Sequence, residues 1–448
     1  MSRAWTKFRS PVDRRWAVDR AMTPFRAGRR REPAGARVLL VNQYYWPVHL
    51  ATPQHLTDLA ESLAERGFEV HVLCGKGGAT SALKSHEVRN GVTIHRVGAT
   101  DFGRKSTIGR MADYLSFYAS ATLKALRLPR FDAVVTLTTP PLIALIGSVL
   151  KRLKGSRHVY WSMDLHPDAS IALGQMSARN PLVALLLRLG DAAYRNADRV
   201  VSLGAYMADR LSAKGVKPSR LEIIPVWSRR EEIAPLPREG HPLRRSLGLD
   251  GKFVAMYSGN LGKAHTATEM IEAARRLRHR DDIVFAFVGG GPRTVEVRSA
   301  VEECGLTNVR FLDYFPREQL KQSLSVADVH FTTMRREATG IVVPSKLYGA
   351  MAAGRPTIFV GPAHCEAADA VRDAGCGYSL ALGDVDGLVD AIEALADDPE
   401  AADAMGRKAR QAFLLGYERG ICVERWSSLL AELVGSPAAV PALVKVAG

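Results

Sequence analysis

Cysteine is scarce. The 448-residue chain has five, Cys74, Cys304, Cys365, Cys376 and Cys422, far apart and never as C-x-x-C. That excludes a disulfide-stapled scaffold, argues against a structural zinc site and fits a reducing compartment. Long apolar runs are also missing. One uncharged stretch of eighteen residues, 133–150, reaches the lower limit for a membrane span. Thr138-Thr139-Pro140-Pro141 splits it, and a β-branched run stands before the break, so strand, turn and helix is the better reading. Residues 1–36 hold no apolar core long enough for a signal peptide. At 47% hydrophobic and 24% charged residues, the chain is neither disordered nor collagenous. Its length suggests two or three domains.

Positive charge is present but uneven. Residues 1–37 carry eleven Lys and Arg against three Asp and Glu, a net +8. Residues 38–240 sum to +9 and residues 241–448 to −2. The excess therefore lies in the tail and the first half, and it suits an anionic partner such as a phosphate-rich membrane surface. A solvated basic surface explains the same numbers. The tail, 1–36, with Arg29, Arg30 and Arg31 together, reads as disordered or surface-binding. Met22 offers an alternative start. No RNA-binding signature or zinc finger accompanies the charge, which argues against a nucleic-acid partner.

Two blocks alternate strand and helix patterns. The first opens with the apolar strand 38–41. A helix begins at Thr52-Pro53, read as a cap followed by proline at the first helical position. Further strands fall at 68–73, 133–137, 158–161 and 199–203. The second block has strands at 253–257, 283–288, 309–312, 328–332 and 357–360. A capping box, Thr266-Ala-Thr-Glu269, opens its first helix. Continuous apolar strands between helices mean parallel sheets covered on both faces. The seam is 228–247, rich in proline and charge. The expected fold is α/β, with two facing doubly wound domains around a central cleft. The expected limits are a tail 1–36, domains 37–228 and 229–415, and a C-terminal segment 416–448 whose helix packs back on the first domain.

Ligands of such sheets bind beyond the carboxyl ends of the strands, so the loops there carry the chemistry. After Tyr257 comes Ser258-Gly259-Asn260-Leu261-Gly262-Lys263-Ala264-His265. Two glycines permit close backbone approach, a helix follows, and Lys263 adds a cation. This reads as a phosphate cradle, or as a tight strand–helix turn; it is not a Walker loop. Gly289-Gly290-Gly291-Pro292 fails the dinucleotide fingerprint because Thr294 stands where glycine is needed. A backbone approach to a nucleotide or sugar stays open there. Pro344-Ser345-Lys346 presets a helix start and forms a second anion site, unless Lys346 is a solvated helix lysine. Two such sites suit one diphosphate. In the first block, Asp164, His166 and Asp168 crowd a loop after a strand. They can position an acceptor hydroxyl and take its proton, or simply cap a turn. Asp384-Val385-Asp386 imitates a metal–diphosphate signature, but helix capping explains it.

Together these motifs resemble the family 4 retaining glycosyltransferases, over about residues 37–435. The strongest stretch is Gly340-Ile-Val-Val-Pro-Ser-Lys-Leu-Tyr-Gly-Ala-Met-Ala-Ala-Gly-Arg-Pro356. Its Pro-Ser-Lys-Leu-Tyr form is similar to the branch that makes bacterial surface and capsular polysaccharides. Tyr257–Gly262, Gly289–Pro292, Asp313-Tyr-Phe-Pro316 and Asp164-Leu-His-Pro-Asp168 support it. The sequence departs from the family pattern at three places. Ile341 and Gly349 stand where two glutamates are common, the second of which usually grips the donor ribose. Asn260 and His265 stand where an arginine and a lysine often contact the diphosphate. His49-Leu-Ala-Thr52 replaces paired glycines in the first loop.

The resemblance implies a GT-B enzyme that moves a hexosyl or N-acetylhexosaminyl group from a nucleotide-diphosphate sugar with retention. It implies no metal and no cofactor. Gly259, Asn260, Gly262, Lys263, His265, Gly289, Gly290, Ser345 and Lys346 are the implied donor-binding residues, with Tyr314 and Phe315 flanking the base. Asp164 and His166 are the implied catalytic pair. Asp168, Thr52 and His49 fall to the acceptor, a lipid-linked or polysaccharide chain at the cytoplasmic face of the membrane. Basic residues from Arg104 and Lys105 to Arg157 suit that surface, as do Tyr114, Leu115, Phe117 and Tyr118 unless they pack inside. A nucleotide-sugar 2-epimerase, or a catalytically weak scaffold of the same fold, is the alternative.

Overall fold

The computed structural model describes residues 35–48, 50–77, 80–102 and 107–435. The basic tail before Gly35, and His49, Arg104 and Lys105, lie outside the described residues. The chain divides into two compact units. The first runs to Ser162, resumes over Gly190–Ile224 and takes the chain from Glu424 on; the second holds Met163–Leu189 and Pro225–Val423. This differs from limits at 228 and 415. The segment after Ser162 groups with the second unit because its backbone docks there: Leu165 N–H donates to the Ile341 carbonyl at 3.1 Å.

The first unit is built on an eight-stranded sheet. Its strands are β1 (Arg37–Val41), β2 (Glu69–Lys76), β3 (His86–Arg89), β4 (Val92–Gly98), β5 (Ala133–Thr136), β6 (Arg157–Trp161), β7 (Arg199–Ser202) and β8 (Leu221–Ile223). Their order is β3-β4-β2-β1-β5-β6-β7-β8. All neighbours are parallel except β3 and β4. That hairpin turns at Asn90-Gly91, both at positive φ, 47° and 77°. Asn-Gly is the dipeptide such a turn demands.

The second unit has β9 (Phe253–Ser258), β10 (Ile283–Val288), β11 (Val309–Leu312), β12 (Val329–Thr333), β13 (Thr357–Val360) and β14 (Gly377–Leu380). The order is β11-β10-β9-β12-β13-β14, parallel throughout. Running outward in both directions from β9 is the doubly wound arrangement, with its switch point between β9 and β12. Buried residues on both faces explain the continuous apolar strands. Phe253, Ala255 and Tyr257 face one core and Val254 and Met256 the other.

Several local expectations are corrected. The first helix spans Ala51–Glu65 with Leu50 at its N-cap and no side-chain cap, so Thr52 does not cap it. Pro53 is tolerated because amides of a first turn lack intrahelical partners anyway. The helix after β9 is Thr268–Arg276, capped by Ala267. Thr266 donates instead to the Glu269 carboxylate at 2.9 Å, and Gly383 N–H donates to the other Glu269 oxygen at 3.1 Å. Phe117 is fully buried with Leu39, Val41 and Val134, which removes it from any membrane contact. On the same helix, Thr107–Arg127, Leu115 is 63% exposed. The basic run also thins: Lys151 and Arg157 pair with Asp198, and Lys154 is spent on the Ala125 and Leu128 carbonyls.

The stretch 133–150 forms β5, a turn and the helix Ala144–Lys154, and among the described residues no helix is long and apolar enough to cross a membrane. The last helix, Arg419–Leu433, sends its residues from Glu424 into the first unit. There Trp426 packs on Trp161 at 4.8 Å between ring centroids, and Glu432 pairs with Arg199 at 3.0 Å.

One buried charge ties the seam of the second unit to its sheet. Asp328, just before β12, accepts from Arg244 at 3.1 Å and from the Val254 amide at 2.6 Å, and pairs with Arg238 at 2.7 Å. Removing one partner of such a set strands the others in low dielectric. Asp328→Ala is expected to lower stability by about 3–5 kcal/mol in chemical denaturation; a loss below about 1 kcal/mol would contradict this role.

Candidate functional site

The loops after β9, β10 and β12 converge at the switch point of the second sheet. Gly259 N–H donates to the Val288 carbonyl at 2.9 Å and Leu261 N–H to the Gly290 carbonyl at 2.7 Å. The two glycine loops are thereby stitched edge to edge. The amides of Asn260, Gly262 and Lys263 have no backbone partner among the described residues. They belong to the loop that leads into the helix Thr268–Arg276.

Close approach explains the glycines. Gly289 has φ +105°, and a Cβ there would meet the Tyr314 ring at 2.8 Å and the Gly259 carbonyl at 3.0 Å. Gly291 has φ +141°, and its Cβ would meet Asn260 Oδ1 at 2.6 Å. Tyr314 itself is 61% exposed, tiled over this floor. Phe315, expected beside it, packs instead against the core that holds Val254, Met256, Ala286 and Val288.

Lys346 enters from the helix Lys346–Ala352. That helix has seven residues, so the amino group matters here more than the helix end. Nζ donates to the Tyr257 hydroxyl, lies 3.3 Å from the Asn260 carbonyl and 3.2 Å from His265 Nε2. It also sits 4.3 Å from the Tyr257 ring centroid. Burial without a carboxylate pulls its pKa down to about 7. His265 Nδ1 is 2.6 Å from the Thr333 carbonyl at the end of β12, and burial, then Lys346, pulls its pKa down to about 3. Arg293 donates to the His265 carbonyl at 2.6 Å.

Of the residues named from sequence, Gly259, Asn260, Gly262, His265, Gly289, Gly290, Tyr314 and Lys346 adjoin one another here; Lys263 and Ser345 are exposed. Tyr257, Arg293 and Thr333 escaped the sequence reading. Tyr257 looked like an ordinary strand residue, although its place at the strand's end was a signal.

Asp164, His166 and Asp168 follow β6 and group with the second unit, where the helix Asp168–Ala172 packs near Arg336–Ala338. Burial raises the Asp164 pKa, and His166 opposes the shift. A raised carboxyl holds a proton more readily, which suits exchange with a hydroxyl. Thr52 lies half-buried in the first unit. Asp384 accepts from Gly387 N–H at 3.0 Å as a helix cap, and Asp386 pairs with Arg276. No group of metal-ligating side chains stands together among the described residues.

The first unit has its own cavity, of about 270 Å³, at the carboxyl ends of β1, β2 and β4. Gln43, Trp46, Lys76, Arg96, Asp113 and Tyr114 line it. Arg96 is anchored by Glu87 at 2.6 Å and the Lys84 carbonyl at 3.0 Å. Gln43 Oε1 is buried without a hydrogen-bond partner. Sequence reading missed this cavity because it missed β4.

A doubly wound unit with stitched glycine loops at its switch point defines a Rossmann-like α/β fold. Two family models match the chain, "Glycosyl transferase 4-like domain" over residues 51–227 and "Glycosyl transferases group 1" over residues 242–412. The chain belongs to the family 4 glycosyltransferases, whose fold is GT-B. It is 27% identical over 396 residues to WcaI of Escherichia coli, described as a colanic acid biosynthesis glycosyl transferase, covering 85% of this chain and 92% of that one. It is 26% identical over 308 residues to the glycosyltransferase WbjE of Pseudomonas aeruginosa, covering 69% and 76%. Among solved structures, sucrose-phosphate synthase of Thermosynechococcus elongatus aligns with a TM-score of 0.73 at 16% identity, covering 89% of this chain and 99% of that one. Anabaena HepE, in complex with UDP and glucose, aligns at 0.68 and 16%, covering 89% and 100%.

Gly289→Ala is expected to weaken nucleotide binding at least about tenfold, roughly 1.4 kcal/mol, with the fold retained by circular dichroism. Unchanged affinity by calorimetry would separate this floor from the ligand.

Proposed function

We propose that the protein transfers a hexosyl or N-acetylhexosaminyl group from a nucleotide-diphosphate sugar, with retention and without a metal ion, to a lipid-linked acceptor in bacterial surface-polysaccharide synthesis. The observation that carries this is Lys346, whose Nζ lies 3.3 Å from the Asn260 carbonyl of a loop in which the amides of Asn260, Gly262 and Lys263 have no backbone partner among the described residues. Fixed donors around one point stabilise the charge that grows on a departing diphosphate. Relatives described in polysaccharide synthesis, and a neighbour holding UDP-glucose, support the donor class.

Lys346 and the loop amides hold the diphosphate oxygens, and Tyr314 offers an aromatic face to the base. As the sugar–oxygen bond breaks, these donors take the negative charge. Asp164 is the residue that exchanges a proton with the incoming hydroxyl in this reading, and the rise of its pKa on burial supports that. The acceptor sugar occupies the cavity of the first unit. Its walls of Trp46 and Tyr114 suit the apolar face of a sugar ring, and Gln43, Lys76, Arg96 and Asp113 suit its hydroxyls. Its volume fits one ring rather than a long chain.

Membrane attachment at the cytoplasmic leaflet completes the reading. Leu115, Leu123 and Leu126 are exposed on the helix that also bears Lys124 and Arg127. Each basic residue near an anionic surface contributes about 1 kcal/mol.

Incubation with labelled UDP-, GDP- and ADP-sugars and a membrane extract should yield glycosylated lipid. Lys346→Met should cut the rate at least about hundredfold, roughly 2.7 kcal/mol. Absence of transfer from every donor, with nucleotide binding intact, would defeat the proposal. Filling the cavity by Ala99→Trp should raise the acceptor KM at least about tenfold and leave donor affinity unchanged; an unaltered acceptor KM would remove the acceptor from this cavity.

A further inference from the structure

The cavity of the first unit is lined by three cations, Lys76, Arg96 and Arg110, and by two carboxylates, Asp101 and Asp113. Strand pairing sets Cys74 opposite Arg96 and Lys76 opposite Gly98, so Lys76 and Arg96 stand on the same face of the sheet. Arg110 comes from the helix Thr107–Arg127. Counting charges does not decide what such a wall binds; the partners already in place do. Arg96 is buried and answered by Glu87 at 2.6 Å, with the Lys84 and Trp46 carbonyls at 3.0 and 3.3 Å. Asp113 Oδ1 accepts from the Phe102 amide at 3.0 Å, and Asp101 is exposed. Lys76 and Arg110 are half-buried, and no carboxylate pairs with either among the described residues. A second sign of a polar ligand comes from the same wall. Arg96 Nε, a donor, and Gln43 Oε1, an acceptor, are buried without hydrogen-bond partners.

We propose that the acceptor sugar carries an oxyanion, a carboxylate or a phosphate, bound by Lys76 and Arg110; this rests on the cavity being the acceptor site and adds the substituent which that site selects. A half-buried cation has lost part of its water shell and gains most from an anion that arrives with the ligand. Asp113 and Gln43 take hydroxyl hydrogens, while Trp46 and Tyr114 offer aromatic faces to the ring. Carboxylates and cations in one cavity then have separate tasks: the first orient the ring and the second choose its charge. A neutral sugar leaves both cations unpaired and forgoes that part of the binding.

The test is an NMR titration of the intact chain with methyl glycosides of glucose, galactose and mannose, their uronates and their 6-phosphates. Within each series the rings differ at one carbon. In at least one series the uronate or the 6-phosphate should bind at least about tenfold tighter than the neutral parent, and added salt should shrink the gap. Lys76→Met and Arg110→Met should each cut that ratio to below about threefold and leave the affinity for the neutral sugar unchanged. Arg96 is kept intact in these variants because its loss would strand Glu87. Preference for uronate or for 6-phosphate identifies the oxyanion. Inorganic phosphate should bind more weakly than the 6-phosphate; equal affinity would make this an ion site and overturn the inference. Equal binding of charged and neutral sugars in every series overturns it too, leaves the acceptor site standing and needs no variant. A ratio that survives in both variants overturns it equally. If no sugar shifts the Trp46 indole signal, the cavity is not the acceptor site, and this inference falls with it.

Discussion

Lys346 stands against Tyr257, Asn260 and His265, and no carboxylate pairs with it among the described residues. Most of the second unit's local geometry can be traced to that placement. The amino group needs acceptors, so Tyr257 and Asn260 turn an oxygen toward it. The imidazole needs its hydrogen held on the far side, so the Thr333 carbonyl at the end of β12 must lie where it does. A ligand with two negative oxygens relieves the shortage that the protein alone leaves in place.

The sheet order is what brings these pieces together. In a doubly wound sheet, adjacent strands at the switch point send their following loops apart, and a gap opens between them. β9 and β12 are those strands, and the crevice lies over their ends. Glycine at 289 and 291 then lets the loop after β10 lie flat against the loop after β9. The first unit follows the same rule around β1 and β5, with a hairpin added at its edge.

The parallel sheets were legible in the sequence because each buried strand is a continuous apolar run, and the loops that meet at the switch point each follow one. Asn90-Gly91 was an equally plain signal for the β3–β4 hairpin, but its strands alternate polar residues and were passed over. Losing β4 concealed Arg96 and the cavity it lines. Phe315 looked like a base-flanking aromatic because it adjoins Tyr314. In an extended segment neighbours point to opposite sides, so one is exposed and the other half-buried. The grouping of Asp164 with the second unit depends on a backbone bond from Leu165 to Ile341, residues too distant in sequence for any pattern to connect.

Tyr314 lies on a floor of bare backbone, with Gly289 and Gly290 beneath its ring. Floor and ring differ in how freely they can change. Any side chain at Gly289 collides with its surroundings, whereas the ring at Tyr314 is held mainly by its own torsions and faces water. Under the proposed function, laboratory evolution toward a different nucleobase should therefore accumulate its substitutions at Tyr314 and leave the glycines fixed.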